Sequence, residues 1–157
     1  MLNTLKYSFI IPVFNRPEEV KELLKSFLKL DFKAAYEIVI IEDGSIKTCK
    51  SIISNFKASL NISYYFKENS GPGDSRNFGM QMAKGDYYII LDSDCILPSH
   101  YLKTVDAFLN NKFYHCFGGA DSSNIDFTTL QKAINYTMTS FYTTGGIRGS
   151  EKSIQKF

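Results

Sequence analysis

Asp92, Ser93 and Asp94 follow directly on the apolar run Tyr87 to Leu91. Two carboxylates two residues apart repel each other at neutral pH. A backbone turn that aims both into one crevice makes a place for a cation between them. Hard divalent ions such as Mg²⁺ or Mn²⁺ take oxygen ligands and commonly bridge one or two carboxylates to substrate phosphates. The plain alternative is a solvated turn, or a cap ahead of Pro98. Asp43 also ends an apolar run and is followed by Gly44 and Ser45. A turn explains it, and so does a carboxylate placed to accept the N–H of a nucleobase. Phe14, after Pro12 in the next loop to consider, is either a core aromatic or a flat surface for such a base. Arg76 comes just after Gly71-Pro72-Gly73, where small residues let a backbone approach closely and a helix start favours anions. Its guanidinium suits a diphosphate, or is an ordinary surface charge.

These residues need elements to position them. Lys6 to Pro12, Tyr36 to Ile41, Asn61 to Phe66 and Asp86 to Leu91 read as buried strands, and Phe113 to Phe117 as a fifth. Between them lie helical patterns. Pro17 to Leu30 has Val20, Leu23, Leu24, Phe27 and Leu28 on one stripe, with Pro17 at the first position and Glu18 and Glu19 in the first turn. Residues 46 to 58 form a second helix and Asp74 to Lys84 a third, stopped by Gly85. Another begins after Pro98, and Asp126 to Tyr142 is the last. Strands that are almost continuously apolar and alternate with helices predict an α/β fold, a mostly parallel sheet with helices on both faces. In such sheets ligands bind outside the carboxyl ends of the strands. The polar clusters Pro12 to Arg16, Glu42 to Ser45, Ser70 to Asn77 and Asp92 to Asp94 each follow a strand, so all four fall on that edge.

Composition narrows the function. The 157 residues carry a formal net charge of +2, with 18 Lys and Arg against 16 Asp and Glu. That balance gives no electrostatic case for nucleic acid. The apolar stretch Tyr87 to Leu91 falls far short of the roughly 20 residues that cross a bilayer, and no signal segment is read at the start. Three cysteines, Cys49, Cys95 and Cys116, are odd in number and widely spaced, which suits reduced, partly buried thiols. His100 and His115 have no metal-ligand spacing and read as structural. Neither a Walker phosphate loop nor a dinucleotide fingerprint occurs.

Taken in order, Phe9 to Asn15 (FIIPVFN), Ile41 to Ser45 (IEDGS), Gly71 to Asn77 (GPGDSRN) and Gly85 to Asp94 (GDYYIILDSD) resemble the nucleotide-binding half of the family 2 glycosyltransferases, which have the GT-A fold. Glu42 stands where an aspartate often precedes the residue matching Asp43. Residues Thr143 to Gly149 look like a segment of bacterial members that build surface polysaccharide. The resemblance implies an inverting transferase that uses a nucleotide-diphosphate sugar, UDP-sugar foremost, with Mg²⁺ or Mn²⁺. By position, Pro12 and Phe14 would line the base, with Asn15 beside them, and Asp43 would hydrogen-bond it. Arg76 would face ribose and diphosphate, Asp92 with Ser93 the ribose or the metal, and Asp94 the metal directly. Asp121 would shape the sugar site. The general base is expected beyond Phe157, so the sequence is expected to be a donor-binding piece. Residues 1–142 are expected to form a partial nucleotide-sugar-binding domain, and 143–157 a flexible tail or a cut edge of the acceptor half. The implied partners are the donor and a glycan or lipid-linked acceptor. The implied location is cytoplasmic, with peripheral association at the inner membrane face. Two other readings compete: a non-catalytic nucleotide-binding module, and a phosphatase with Asp92 as nucleophile and Asp94 as acid. The phosphatase normally places its motif after the first strand with Thr or Val two positions on, where this chain has Ile96.

Overall fold

A computed structural model describes residues 6–118, 128–140 and 142. They divide into two compact units, 1–108 and 109–157. The first holds four strands, β1 (Tyr7–Val13), β2 (Tyr36–Asp43), β3 (Ile62–Lys67) and β4 (Tyr87–Ile90). Three helices connect them: α1 (Pro17–Phe27), α2 (Lys50–Ser54) and α3 (Pro72–Met82). A fourth, α4 (Tyr101–Asn111), runs across the division between the units. All three pairings are parallel, and the strand order is β3-β2-β1-β4.

The alternation of side chains along β1 explains why helices cover both faces. Phe9 meets Phe27 of α1 edge-to-face, with ring centroids 4.8 Å apart. Its neighbour Ile10 points the other way, towards α3, where a Cβ on Gly79 would lie 2.6 Å from Ile10 and Ile41. Only a residue without a side chain lets α3 lie this close to the sheet. On the α1 side Val20, Leu23, Leu24 and Phe27 are buried, each large side chain contributing about 1.5–3 kcal/mol of transfer free energy. The predicted α/β architecture is therefore present.

Three expectations are corrected. Phe113 to Phe117 forms no strand; Phe113 is 62% exposed, and the segment joins no ladder among the described residues. Its two phenylalanines and Tyr114 carry β propensity, but with no strand pairing to them the backbone gains nothing from extension. The helix read over 46–58 is only Lys50–Ser54. Ile46, placed on its inner side by periodicity, is 92% exposed, and residues 55–59 continue as tight turns. Finally, β4 is not buried on both faces. Tyr88 and Ile90 are exposed while Ile89 is buried, because they share the face of Ile10, where α3 packs over β1 and β2.

In the second unit α5 spans Thr129–Thr139. Thr137 and Thr139 return their hydroxyls to the carbonyls of Ala133 and Asn135. The expectations for Asp121 and for 143–157 lie outside the described residues. No described helix is long and apolar enough to cross a membrane.

Candidate donor-binding site

Parallel strands send all their carboxyl ends to one edge, and the order β3-β2-β1-β4 reverses direction between β1 and β4. That reversal leaves a crevice. A cavity of about 420 Å³ opens there, lined among others by Phe14, Arg16, Asp43, Arg76, Asp92 and Asp94. Pro12 and Ser93 also line it, whereas Asn15 does not.

Asn15 instead ties two loops together. It adopts φ +54°, a left-handed conformation that asparagine tolerates better than most residues. Its Oδ1 accepts the N–H groups of Ile46 (2.8 Å) and Lys47 (3.0 Å), and its own N–H donates to Ser45 Oγ (2.8 Å). The loop after β1 is thereby fastened to the loop after β2, which aims Phe14 and Arg16 at the cavity. Phe14 keeps 51% of its surface exposed, available for a flat ligand rather than spent in the core.

Asp43 is almost fully buried and already well partnered. Its Oδ1 accepts from Lys67 Nζ (2.5 Å) and the Ser70 N–H (3.0 Å), and its Oδ2 from the Gly71 N–H (2.9 Å). One acceptor position on Oδ2 is left for a ligand. Burial pushes this carboxyl up, but Lys67 and the two N–H donors outweigh it and hold Asp43 below the ordinary carboxylate value. Lys67 is pushed down by its own burial and raised more strongly by Asp43 and Asp74, ending above its usual value. Lys67 also donates to Ser70 Oγ, which in turn donates to Asp74 (2.5 Å). Together these bonds clamp the β3–α3 loop and set Gly71, at φ +93°, as the residue before α3.

Arg76, one turn into α3, pairs with Asp92 Oδ1 (2.8 Å), while its Nε is buried with no partner among the described residues. Arg16, just before α1, pairs with Asp94 Oδ2 at 2.6 Å. Asp92 and Asp94 flank a tight turn in which the Asp92 carbonyl accepts the Cys95 N–H. The segment that follows is held against α1 by Ser26, whose hydroxyl accepts the Leu97 N–H and donates to Leu23 O.

The four polar clusters expected on one edge thus meet there. Two contributors are new. Arg16 stood in the run Pro12 to Arg16, but a charge at a helix start carries no sign of which carboxylate it will reach. Lys67 had a usable signal, because the β2–β3 register sets it opposite Asp43. Glu42 is fully buried and accepts from the Cys49 N–H and thiol and from the Tyr64 hydroxyl. Burial and this carboxylate push both the Cys49 thiol and the Tyr64 phenol upward. The three cysteines are unbridged: Cys49 is buried and Cys116 exposed.

The sequence matches the description of glycosyl transferase family 2 over residues 8–155. The chain belongs to this family. Among relatives, the poly(ribitol-phosphate) β-N-acetylglucosaminyltransferase TarS of Staphylococcus aureus is 32% identical over 109 residues, covering 68% of this chain and 19% of TarS. The GalNAc(5)-diNAcBac-PP-undecaprenol β-1,3-glucosyltransferase of Campylobacter jejuni is 34% identical over 116 residues, 72% of this chain and 37% of that protein. The crystal structure of TarS 1-349 with UDP-GlcNAc superposes with a TM-score of 0.68 at 28% identity, over 79% of this chain and 37% of that one. The sheet and its helices are of the GT-A type that these family members share. The chain spans well under half the length of each.

Proposed function

We propose that the cavity holds the nucleotide diphosphate of a sugar donor, UDP-sugar foremost, and that the protein serves transfer of the sugar to a polysaccharide or lipid-linked glycan. The carrying observation is convergence: an exposed aromatic face, two guanidiniums and three carboxylates, brought together from the carboxyl ends of four strands, surround one cavity. The relatives' donors and acceptors support the choice of class, since TarS is solved with UDP-GlcNAc and the Campylobacter enzyme is named for an undecaprenol-linked glycan. A nucleotide-sugar donor suits a cytoplasmic location, with peripheral association at the membrane where a lipid-linked acceptor sits.

In this reading Pro12 and Phe14 flank the base, and the remaining acceptor position of Asp43 takes its N–H. Arg76 faces the ribose and diphosphate with Ser93 nearby. Asp92 and Asp94 supply the oxygen donors for Mg²⁺ or Mn²⁺. The donor set fits: both carboxylates are more than half exposed, and no third His, Cys, Asp or Glu joins them among the described residues. Such a set suits an ion whose remaining ligands are phosphate oxygens and water. When bound, the ion offsets negative charge growing on the departing diphosphate. Transfer breaks the bond between the anomeric carbon and the diphosphate oxygen, with inversion, as the acceptor hydroxyl bonds to that carbon and yields its proton to a base. Asp43 is held by Lys67, and Asp92 and Asp94 are given to the ion in this reading, so the base is a different carboxylate.

Calorimetric titration with UDP and UDP-GlcNAc, with and without Mn²⁺, tests this reading. UDP should bind at least tenfold more tightly with Mn²⁺, and Asp94→Ala should erase that increment. Equal affinity with and without Mn²⁺ would remove the metal assignment.

A further inference from the structure

Each carboxylate of the Asp92-Ser93-Asp94 turn is paired with an arginine from a different helix start, Arg16 just before α1 and Arg76 one turn into α3. Asp94 pairs with Arg16 at 2.6 Å and Asp92 with Arg76 at 2.8 Å. All four side chains line the same cavity. The pairs cancel: two positive groups face two negative ones. A divalent cation entering alone would put two positive charges into a neutral site and compete with both guanidiniums. A diphosphate entering alone would meet two exposed carboxylates. The diphosphate of a nucleotide sugar carries two negative charges, so it and the cation together add no net charge. Each then finds a partner released by the other, carboxylates for the cation and guanidiniums for the phosphates.

We infer that Arg16 is an internal counter-ion of Asp94 that exchanges partners on loading, leaving the carboxylate and turning its guanidinium to the diphosphate. This rests on the donor-site reading above and assigns it a residue and an order of events. Arg16 is well placed for such a move. It precedes α1, with no side-chain cap tying it to the helix start, and about half of its side chain is exposed. Its backbone is held by the adjoining Asn15 bonds. The side chain can therefore turn while its base stays fixed. Arg76 differs, with Nε buried against the protein, and acts as the fixed member of the pair. Because coupling between two ligands is reciprocal, Arg16 holds cation affinity low until a diphosphate is present.

The test is binding, not turnover. Mn²⁺ affinity without nucleotide is read from the electron paramagnetic resonance signal of free Mn²⁺, and UDP affinity at saturating Mn²⁺ by calorimetry. The proteins are wild type, R16Q and R16K, with thermal melts to confirm folding. An exposed ion pair is a weak competitor, so R16Q should bind Mn²⁺ alone about two- to fivefold more tightly. The same variant should bind UDP at saturating Mn²⁺ about threefold or more weakly, and R16K should lie nearer wild type in both. Opposite signs are the signature, since a merely structural arginine moves both affinities the same way or neither. Unchanged or weakened Mn²⁺ binding by R16Q, with wild type still binding UDP and Mn²⁺ together, overturns the exchange alone. Wild type that binds neither overturns the donor site and the exchange together.

Discussion

Asn15 accepts two N–H groups and donates a third hydrogen bond across 30 residues of chain, yet the cavity it organises is lined by its neighbours Phe14 and Arg16. A hydrogen bond contributes about 1 kcal/mol net and less where water competes, and the two that Asn15 Oδ1 accepts are exposed. Losing both side-chain bonds should therefore weaken UDP binding by up to about tenfold in Asn15→Ala. Asn15→Gly, which suits the left-handed backbone but lacks the acceptor, should lose as much, while Asn15→Asp, whose carboxylate accepts the same N–H groups, should recover most of it. Titration of the three variants with UDP checks this. Asp43 gives a stability prediction. Asp43→Asn leaves a largely buried Lys67 with only its longer pair to the exposed Asp74, a loss of about 2 kcal/mol in denaturant unfolding at pH 7. The carboxyl is depressed in the folded protein, so its stabilisation is complete above the unfolded value of about 3.9 and disappears as pH falls through the lower folded value. The gap between wild type and Asp43→Asn should accordingly close in that acid range. Unfolding curves that stay equally far apart at low pH would show that the clamp does not depend on charge.

Helices and strands were legible where burial dictated their period. The stripe of α1 and the apolar runs of β1 and β2 leave few other ways to hide Phe9, Ile10, Leu23, Leu24 and Phe27, all of which are buried. Legibility failed where a long-range bond or an edge decides. The helix after β2 starts at Lys50 because Glu42, at the end of a strand, accepts the Cys49 N–H. No local pattern carries that contact, so periodicity extended the helix back to an exposed Ile46. Phe113 to Phe117 has strand-forming residues and no strand pairing with it among the described residues. Packing of α3 on the sheet is a sharper matter. In Gly79→Ala the new Cβ would come within 2.6 Å of Ile10 and Ile41, and overpacking of this kind costs about 1–3 kcal/mol. Thermal melting of Gly79→Ala should show a clear drop, whereas Gly73→Ala, where a Cβ meets nothing within 4 Å, should melt close to wild type.

Across the whole molecule, the site follows from topology. A parallel sheet puts every strand's carboxyl end on one edge, so Asp43, Arg76 and Asp94 could be assigned to one edge before any coordinate was known. Their counter-charges could not, because the reach of Arg16 to Asp94 and of Arg76 to Asp92 depends on how loops bend after the strands end. Membership of glycosyl transferase family 2 and the crevice left by the reversal of strand order between β1 and β4 support the proposed donor site by independent routes. The most direct test is a crystal of this chain soaked with UDP and Mn²⁺. The account predicts density for the base against Phe14, the diphosphate between Arg76 and the 92–94 turn, and the ion on Asp94. Nucleotide bound at another face, with Asp94 still paired to Arg16 and no ion beside it, would contradict it.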